Sequence, residues 1–350
     1  MTHSEPLVIG IESTCDETGV AFVKGGTLLA DRTASSMDEH ARYGGIIPEI
    51  ASRAHLESFL PTLEASARGA GVDLPQVDAI AVAAGPGLVG SLTVGISAAK
   101  ALALALGKPL YGVNHVIGHL AVDELVDGPF PQRFIGLIVS GGHSHLVLVD
   151  DIATSVRELG GTLDDAAGEA FDKVGRLLHT PYPGGPHVDR MANEGDPNAI
   201  RFPRGLAAGK DKERHRYDFS FSGLKTAVAR YIEALEAAGT DIPAETICAG
   251  FSQAVNDSLT AKAVRAALDH ECGTIVVGGG FSANSQLRAM LAERAEKAGL
   301  EVRLPPLRFC TDNGAQIAAM GSALVRAGVA PSSPDFGPDS QMPLSQVVMP

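Results

Sequence analysis

Apolar and polar positions along the chain follow a pattern that is written twice. Residues 7–12 are a β-rich apolar run, 13–18 are polar and 19–23 are apolar again, which predicts a hairpin. A third strand candidate follows at 27–34. The same order returns later, with an apolar run at 134–139, a small polar and glycine turn at 140–144, a strand at 145–149 and a third candidate at 155–159. In the first half a buried strand at 77–84 ends in Gly85-Pro86-Gly87 before a helical pattern over 91–106. In the second, 274–277 ends in Gly278-Gly279-Gly280 before a helical pattern over 284–298. A short strand then leads each half into a helix, 110–113 into 115–125 and 301–304 into 312–326. The chain reads as one α/β unit duplicated: three strands, a helix, then strand and helix in alternation.

A chain of 350 residues suits two domains. The expected division is a first domain at 1–130, a second at 131–328 and a tail at 329–350, with the helix at 312–328 able to pack back on the first domain. The halves are unequal, because the second carries an insertion at about 163–240, and connections of that length are functional or folded in their own right. Two polar hairpin turns and two strand-to-helix glycine turns are expected to converge on a cleft between duplicated domains. Glycine there lets backbone N–H groups approach phosphate, and a helix N-terminus favours anions. Gly85-Pro86-Gly87-Leu88-Val89-Gly90 is followed by Ser91, not by Lys and a hydroxyl residue, so this is no Walker A loop.

Composition narrows the class. With 45% hydrophobic and 20% charged residues the chain is ordinary globular material. Its start is polar, without a basic segment or an apolar h-region, and the longest apolar stretch read from the sequence, 98–106, is interrupted by Lys100. A soluble cytoplasmic protein that does not span a membrane is expected. Cys15, Cys248, Cys272 and Cys310 are scattered with no C-x-x-C pair, which suits reduced thiols and leaves metal binding to histidine and carboxylate. A net charge of -13 argues against a protein that coats nucleic acid. Local charge differs: Arg201, Arg204, Lys210, Lys212, Arg214 and Arg216 face only Asp211 and Glu213 in that stretch, which is either a solvated loop or a nucleic-acid contact.

Asn114-His115-Val116-Ile117-Gly118-His119 sets two imidazoles on one helical face, four residues apart. The spacing fits one shared cation and equally fits two surface or core histidines. Val116 stands where a zincin has its general-base Glu, so a peptidase lacks its catalytic group. Asp312, in Phe309-Cys310-Thr311-Asp312-Asn313-Gly314, is the candidate third ligand or an ordinary N-cap.

These motifs, taken with Glu12-Ser13-Thr14-Cys15-Asp16-Glu17-Thr18, His40-Ala41-Arg42-Tyr43-Gly44-Gly45, Val139-Ser140-Gly141-Gly142-His143, Ala166-Ala167-Gly168-Glu169-Ala170-Phe171-Asp172-Lys173, Tyr182-Pro183-Gly184-Gly185-Pro186 and Phe219-Ser220-Phe221-Ser222-Gly223-Leu224-Lys225, resemble one family through nearly the whole chain. It is the universal tRNA threonylcarbamoyladenosine transferase subunit, once described as an O-sialoglycoprotein endopeptidase.

The resemblance implies a duplicated, RNase H-like ASKHA fold, the architecture of actin, sugar kinases and Hsp70. It implies one divalent metal per subunit, Fe2+ before Zn2+, on His115, His119 and Asp312. It further implies threonylcarbamoyl-AMP as the donor, its nucleoside on Asp172, Gly185, Asp189 and Asn284, and the backbone of Ile138, Val139, Ser140, Gly141 and Gly142 near the phosphate and carbamoyl end. The acceptor would be N6 of adenosine 37 in the anticodon loop of tRNAs that read codons beginning with A. Asp suits ribose hydroxyls, Asn an adenine edge, and a Ser-Gly-Gly turn exposes N–H donors.

The adenine amine is a weak nucleophile, so positioning, electrostatic stabilisation and a base must supply the rate. Asp16 and Glu12, in the first polar turn, are the candidate proton acceptors, and Glu12 also suits a plain turn role. The basic stretch with Tyr217, Phe219 and Phe221 could meet the tRNA loop, unless those rings are core. The family's partners are an inactive paralogue subunit and a small P-loop ATPase, with a partner face expected on the helix at about 48–70. The rival readings are an ASKHA sugar or acid kinase, a metallopeptidase and a non-catalytic scaffold of a tRNA-binding complex.

Overall fold

The structure is a computed structural model that describes residues 5–207 and 209–350. Residues 1–4, where the polar start was read, and Ala208, inside the basic stretch, lie outside the described residues. The chain divides into two compact units: Met1–Gln132 with Val149–Arg157 and Pro305–Pro350, and Arg133–Leu148 with Glu158–Leu304.

The first sheet contains β1 (Leu7–Glu12), β2 (Glu17–Lys24), β3 (Thr27–Ser35), β4 (Ala79–Gly85) and β5 (Leu110–Asn114), in the order β3-β2-β1-β4-β5. β1 pairs antiparallel with β2 and parallel with β4, and β4 pairs parallel with β5. β4 is buried at every position, as a strand inside a parallel ladder with both faces covered must be.

The second sheet contains β6 (Phe134–Val139), β7 (Ser144–Asp151), β8 (Ser155–Gly161), β9 (Thr274–Gly278) and β10 (Glu301–Arg303), in the order β10-β9-β6-β7-β8. Counted from the first strand of each half, the two orders are the same. The sheets are therefore two copies of one α/β unit.

In the first unit the helix Pro48–Ala70 lies against β2 and β3, burying Ala51, His55, Phe59, Leu63 and Ser66 at helical spacing. The helix Val89–Leu106 starts earlier than the apolar stretch at 98–106. Its 18 residues have a mean hydropathy of 1.7, so by length and composition it is apolar enough to cross a membrane. In the fold it packs against β4 and the Pro48–Ala70 helix through Leu92, Ile96, Ala99 and Ala103.

The helix Gly314–Arg326 packs on β1 and β2. Glycines make that approach possible: a Cβ on Gly10 would lie 2.1 Å from the Ala318 nitrogen, and one on Gly19 would lie 2.5 Å from the Gly314 nitrogen. The helix expected over 115–125 is broken. It runs as His115–Ala121, and a second short helix, Asp123–Asp127, follows after Val122. The chain after Arg326 returns to β5, where Ser332 N donates to Leu110 O, Asn114 N to Val347 O and Met349 N to Gly112 O. This covers the free edge of β5.

In the second unit the core gathers around the helix Ala244–Asp269, with Phe171, Phe219, Phe221, Phe251 and Phe281 packed in one cluster. The insertion is folded, forming the helices Ala167–Leu177, Gly185–Ala192, Asp211–Arg214 and Ser222–Ala237. Asp164 ties its start to the beginning of its last helix. Its carboxylate accepts from Ser220 Oγ at 2.6 Å, Ser222 Oγ at 2.7 Å and the amides of Phe221 and Ser222 at 2.8 and 3.2 Å, capping the helix that starts at Ser222.

Candidate functional site

β5 ends at Asn114, the N-cap of the His115–Ala121 helix, and its side-chain oxygen accepts from the amides of Val116 and Ile117 at 3.0 and 3.1 Å. Helical spacing brings His115 and His119 together, with ring centroids 4.8 Å apart and an interplanar angle of 71°. Both rings are buried.

Asp312 arrives from the residues just before the Gly314–Arg326 helix. Its Oδ1 lies 3.3 Å from His119 Nε2 and 3.7 Å from His115 Nε2. The N-cap of that helix is Asn313, which accepts from the Gln316 amide at 2.9 Å, so the reading of Asp312 as an ordinary N-cap does not hold.

One ligand atom from each of His115, His119 and Asp312 lies within 4.8 Å of the others. Two imidazoles and a carboxylate converging at that range fit a divalent transition metal. The surroundings agree, because Glu12 also lies 2.8 Å from His115 Nδ1, and Asp16 and Glu17 lie within the electrostatic reach of Asp312. Burial, then the charges of Asp312 and Asp16, push the Glu17 carboxyl up to about 10, and the Cys15 thiol is raised by burial and the same carboxylates. Burial pulls His115 down, but Glu12 and Asp312 outweigh it and push the imidazole up to about 9. A carboxylate-rich surrounding of this kind suits a bound cation.

The two proton-acceptor candidates sit differently. Glu12 is 0% exposed, with Oε2 2.8 Å from His115 Nδ1 and Oε1 accepting from the Thr14 amide at 2.6 Å. Asp16 is 5% exposed, and its Oδ2 has no hydrogen-bond partner among the described residues.

The expected nucleoside residues lie together in the second unit. Asp172, on the Ala167–Leu177 helix, accepts from the amide of Gly185 at 3.0 Å, the first residue of the Gly185–Ala192 helix. Burial raises the Asp172 carboxyl against these amide bonds. One turn along, Asp189 accepts from Asn284 Nδ2 at 2.8 Å and Ser285 Oγ at 3.0 Å. Asn284 Oδ1 caps the Ser285–Ala298 helix by accepting from the Leu287 amide at 2.8 Å.

Ile138 and Val139 are buried at the end of β6, while Gly141 and Gly142 form an open turn in which an added Cβ would meet nothing within 4 Å. Gly279, at φ +94°, passes so close that its Cβ would lie 2.4 Å from Val139 O.

The basic stretch is partly spent. Arg204 pairs with Asp257 at 2.9 Å and Arg216 with Asp269 at 2.7 Å, while Arg201, Lys210, Lys212 and Arg214 are exposed. Phe219 and Phe221 are 1% exposed and belong to the core, so neither can stack on a base; the Tyr217 hydroxyl donates to Asp269. The partners of these groups were not legible along the chain. Gln316, Asn114 and Glu12 converge on the histidines from segments up to 304 residues apart. Only the Asn directly before His115 carried a signal, that of an N-cap residue.

A sequence profile for the family described as TsaD, tRNA N6-adenosine threonylcarbamoyltransferase, matches residues 27–319. The chain is 58% identical over 346 residues to the tRNA N6-adenosine threonylcarbamoyltransferase of Bifidobacterium longum (strain NCC 2705), spanning 99% of this chain and 100% of that one. Among solved structures, HypF of T. kodakarensis superposes with a TM-score of 0.63 at 15% identity, over 94% of this chain and 49% of that chain. The activator of the 2-hydroxyisocaproyl-CoA dehydratase from Clostridium difficile, solved with bound ADPNP, gives a TM-score of 0.52 at 15% identity, over 93% of this chain and 99% of that one. At this identity the likeness speaks for the fold alone, the duplicated ASKHA architecture.

Proposed function

Because the chain belongs to the family of tRNA N6-adenosine threonylcarbamoyltransferases, and so is a transferase that forms threonylcarbamoyladenosine in tRNA, we propose that its donor is threonylcarbamoyl-AMP and its acceptor N6 of adenosine 37 in tRNAs that read codons beginning with A. The observation that carries the reading is the relationship over the whole chain, and the buried histidine, histidine and aspartate cluster supports it.

In the proposed step the N6 nitrogen forms a bond to the carbamoyl carbon, the bond from that carbon to the phosphate oxygen breaks, AMP leaves and one N6 proton is lost. Asp16 takes that proton. It is the candidate carboxylate with an unpartnered oxygen, whereas both oxygens of Glu12 are engaged.

The nucleoside of the donor is held by Asp172, Gly185, Asp189 and Asn284, which already form adjoining hydrogen-bonded pairs around one helix. The amides of the turn from Ser140 to Gly142 serve its phosphate and carbamoyl end. His115, His119 and Asp312 would hold the metal, Fe2+ before Zn2+, which when bound supplies positive charge for the polarised carbonyl or the leaving phosphate. Exposed Arg201, Lys210, Lys212 and Arg214 are the cations of the basic stretch left for tRNA.

The reading includes an inactive paralogue subunit and a P-loop ATPase as partners, and the cytoplasm as the location. The exposed pair Leu56 and Leu60, on the outer face of the Pro48–Ala70 helix, suits a partner surface.

Threonylcarbamoyl-AMP carrying a radiolabelled threonine is mixed with the chain, the partner subunits and unmodified tRNA, and the label is followed into tRNA. Label on N6 of adenosine 37 is expected, with Asp16→Ala slow but normal in metal and adenylate binding. Unlabelled tRNA in the complete mixture, with cleavage of a glycoprotein or phosphorylation of a small acid by the same chain, overturns the reading.

A further inference from the structure

An imidazole offers two nitrogens and can give a lone pair to a metal from only the one that carries no proton, so what holds the other nitrogen decides whether the ring is ready. The two histidines differ in this respect. His119 Nδ1 is buried and has no hydrogen-bond partner among the described residues. His115 Nδ1 faces Glu12 Oε2 at 2.8 Å.

Glu12 closes β1 and is 0% exposed, a position where both carboxyl oxygens need hydrogen-bond partners. Both have them. Oε1 accepts from the Thr14 amide at 2.6 Å, and Gln316 Nε2 reaches Oε2 at 3.4 Å, beside the histidine. Thr14 Oγ1 and Gln316 Nε2 also approach His115 Nδ1, at 3.3 and 3.2 Å. The Gln316 amide is a donor and cannot accept a proton from the ring, and the threonine contact is the longer of the two acceptors, so the carboxylate is the natural partner for Nδ1–H.

Gln316 is itself fixed by Asn313, which accepts from its backbone amide at 2.9 Å and approaches its side-chain oxygen at 3.4 Å. The start of the Gly314–Arg326 helix thus serves both sides of His115. Asp312 stands at Nε2, and Gln316 braces the carboxylate at Nδ1.

We infer that Glu12 is a positioning residue: it holds His115 as the Nδ1–H tautomer with Nε2 turned towards Asp312 and His119, and Gln316 holds Glu12 in turn. The inference rests on the reading of His115, His119 and Asp312 as a metal site. It removes Glu12 from the chemical step and makes it act through the histidine.

The test is titration of the metal-free full chain with Co2+, followed by visible absorption and calorimetry. The wild type is expected to bind Co2+ with a distinct absorption band. Glu12→Gln keeps the volume and an acceptor but loses the charge, and is expected to weaken binding about tenfold and shift the band; Glu12→Ala is expected to weaken it about 100-fold. Gln316→Leu falls between wild type and Glu12→Gln. A purely structural ion pair would lower the melting temperature of the metal-free chain while leaving the band and affinity of the folded protein unchanged, and that result overturns the inference. Glu12→Gln carries the test if Glu12→Ala does not fold. A wild type that binds no Co2+ sinks the metal site itself, whereas wild-type binding with Glu12→Gln and Gln316→Leu within threefold of it sinks only the role of Glu12.

Discussion

The side-chain amide of Asn114 donates to the carbonyl oxygen of Gln346 at 3.1 Å, tying the residue that starts the histidine-bearing helix to the C-terminal segment of the chain. A second bond reaches Pro343 O, also at 3.1 Å, and the oxygen of the same side chain caps Val116 and Ile117. All the polar valences of this buried side chain are used. Asn114→Ala removes the cap and the donors to Gln346 O and Pro343 O, the second of which keeps the Gln346 amide, and is expected to lower stability by about 2 kcal/mol in urea unfolding. Asn114→Asp keeps the cap but sets a buried carboxylate oxygen against two carbonyl oxygens, so its loss is expected to be at least as large. A loss under about 0.5 kcal/mol for the alanine variant would show that the tail carbonyls find other partners.

The purified chain is expected to carry about one transition metal, and the double variant His115→Ala with His119→Ala to carry none while remaining folded. Elemental analysis with circular dichroism decides this. Full metal content in the folded double variant would assign the ions elsewhere.

Asp172→Ala is expected to weaken binding of a non-hydrolysable adenylate at least about tenfold with metal content unchanged. Asn284→Ala should do the same, but it also removes the cap on Leu287 and is expected to cost about 1 kcal/mol of stability, so Asp172 is the cleaner probe. Calorimetry showing unchanged affinity for both variants would remove these residues from the nucleoside site.

Asp164 carries a pH signature. Partial burial favours its neutral form, yet the hydroxyls of Ser220 and Ser222 and the amides of Phe221 and Ser222 outweigh it and hold the carboxyl below the usual range. A carboxyl depressed in the folded chain contributes stability above its unfolded pKa, and that contribution is lost as pH falls through the folded value. Asp164→Ala is therefore expected to be less stable than wild type by about 1–2 kcal/mol at pH 7, with the gap narrowing below about pH 4. Thermal melts across pH test it, and a gap that widens in acid would contradict the sign.

Hydrophobic periodicity alone determined the duplicated α/β plan, because an alternating or continuous apolar run can bury itself in only a few ways. The strands Leu7–Glu12 and Phe134–Val139 and the helix Pro48–Ala70 lie where the pattern put them. The pair His115 and His119 was legible too, since four-residue spacing on a helix is a local property. The break at Val122 was not, because the apolar pattern runs through it unbroken.

Only the tertiary structure decided what surrounds those rings. Asp312 and Gln316 reach them because Gly10 and Gly19 let a helix from the far end of the chain lie directly on β1 and β2, and a close backbone approach leaves no periodic trace in either segment. The same holds for Phe219 and Phe221, whose neighbours Arg214 and Arg216 suggested a nucleic-acid surface. Their fate was set by the apolar cluster around the Ala244–Asp269 helix, which buries both rings, while Lys210, Lys212 and Arg214 stay exposed. Burial is a property of the assembled core, so a ring beside charges in sequence is free to turn inward when the hydrophobic gain of burying it, about 2 kcal/mol or more, exceeds what a solvent-exposed position offers.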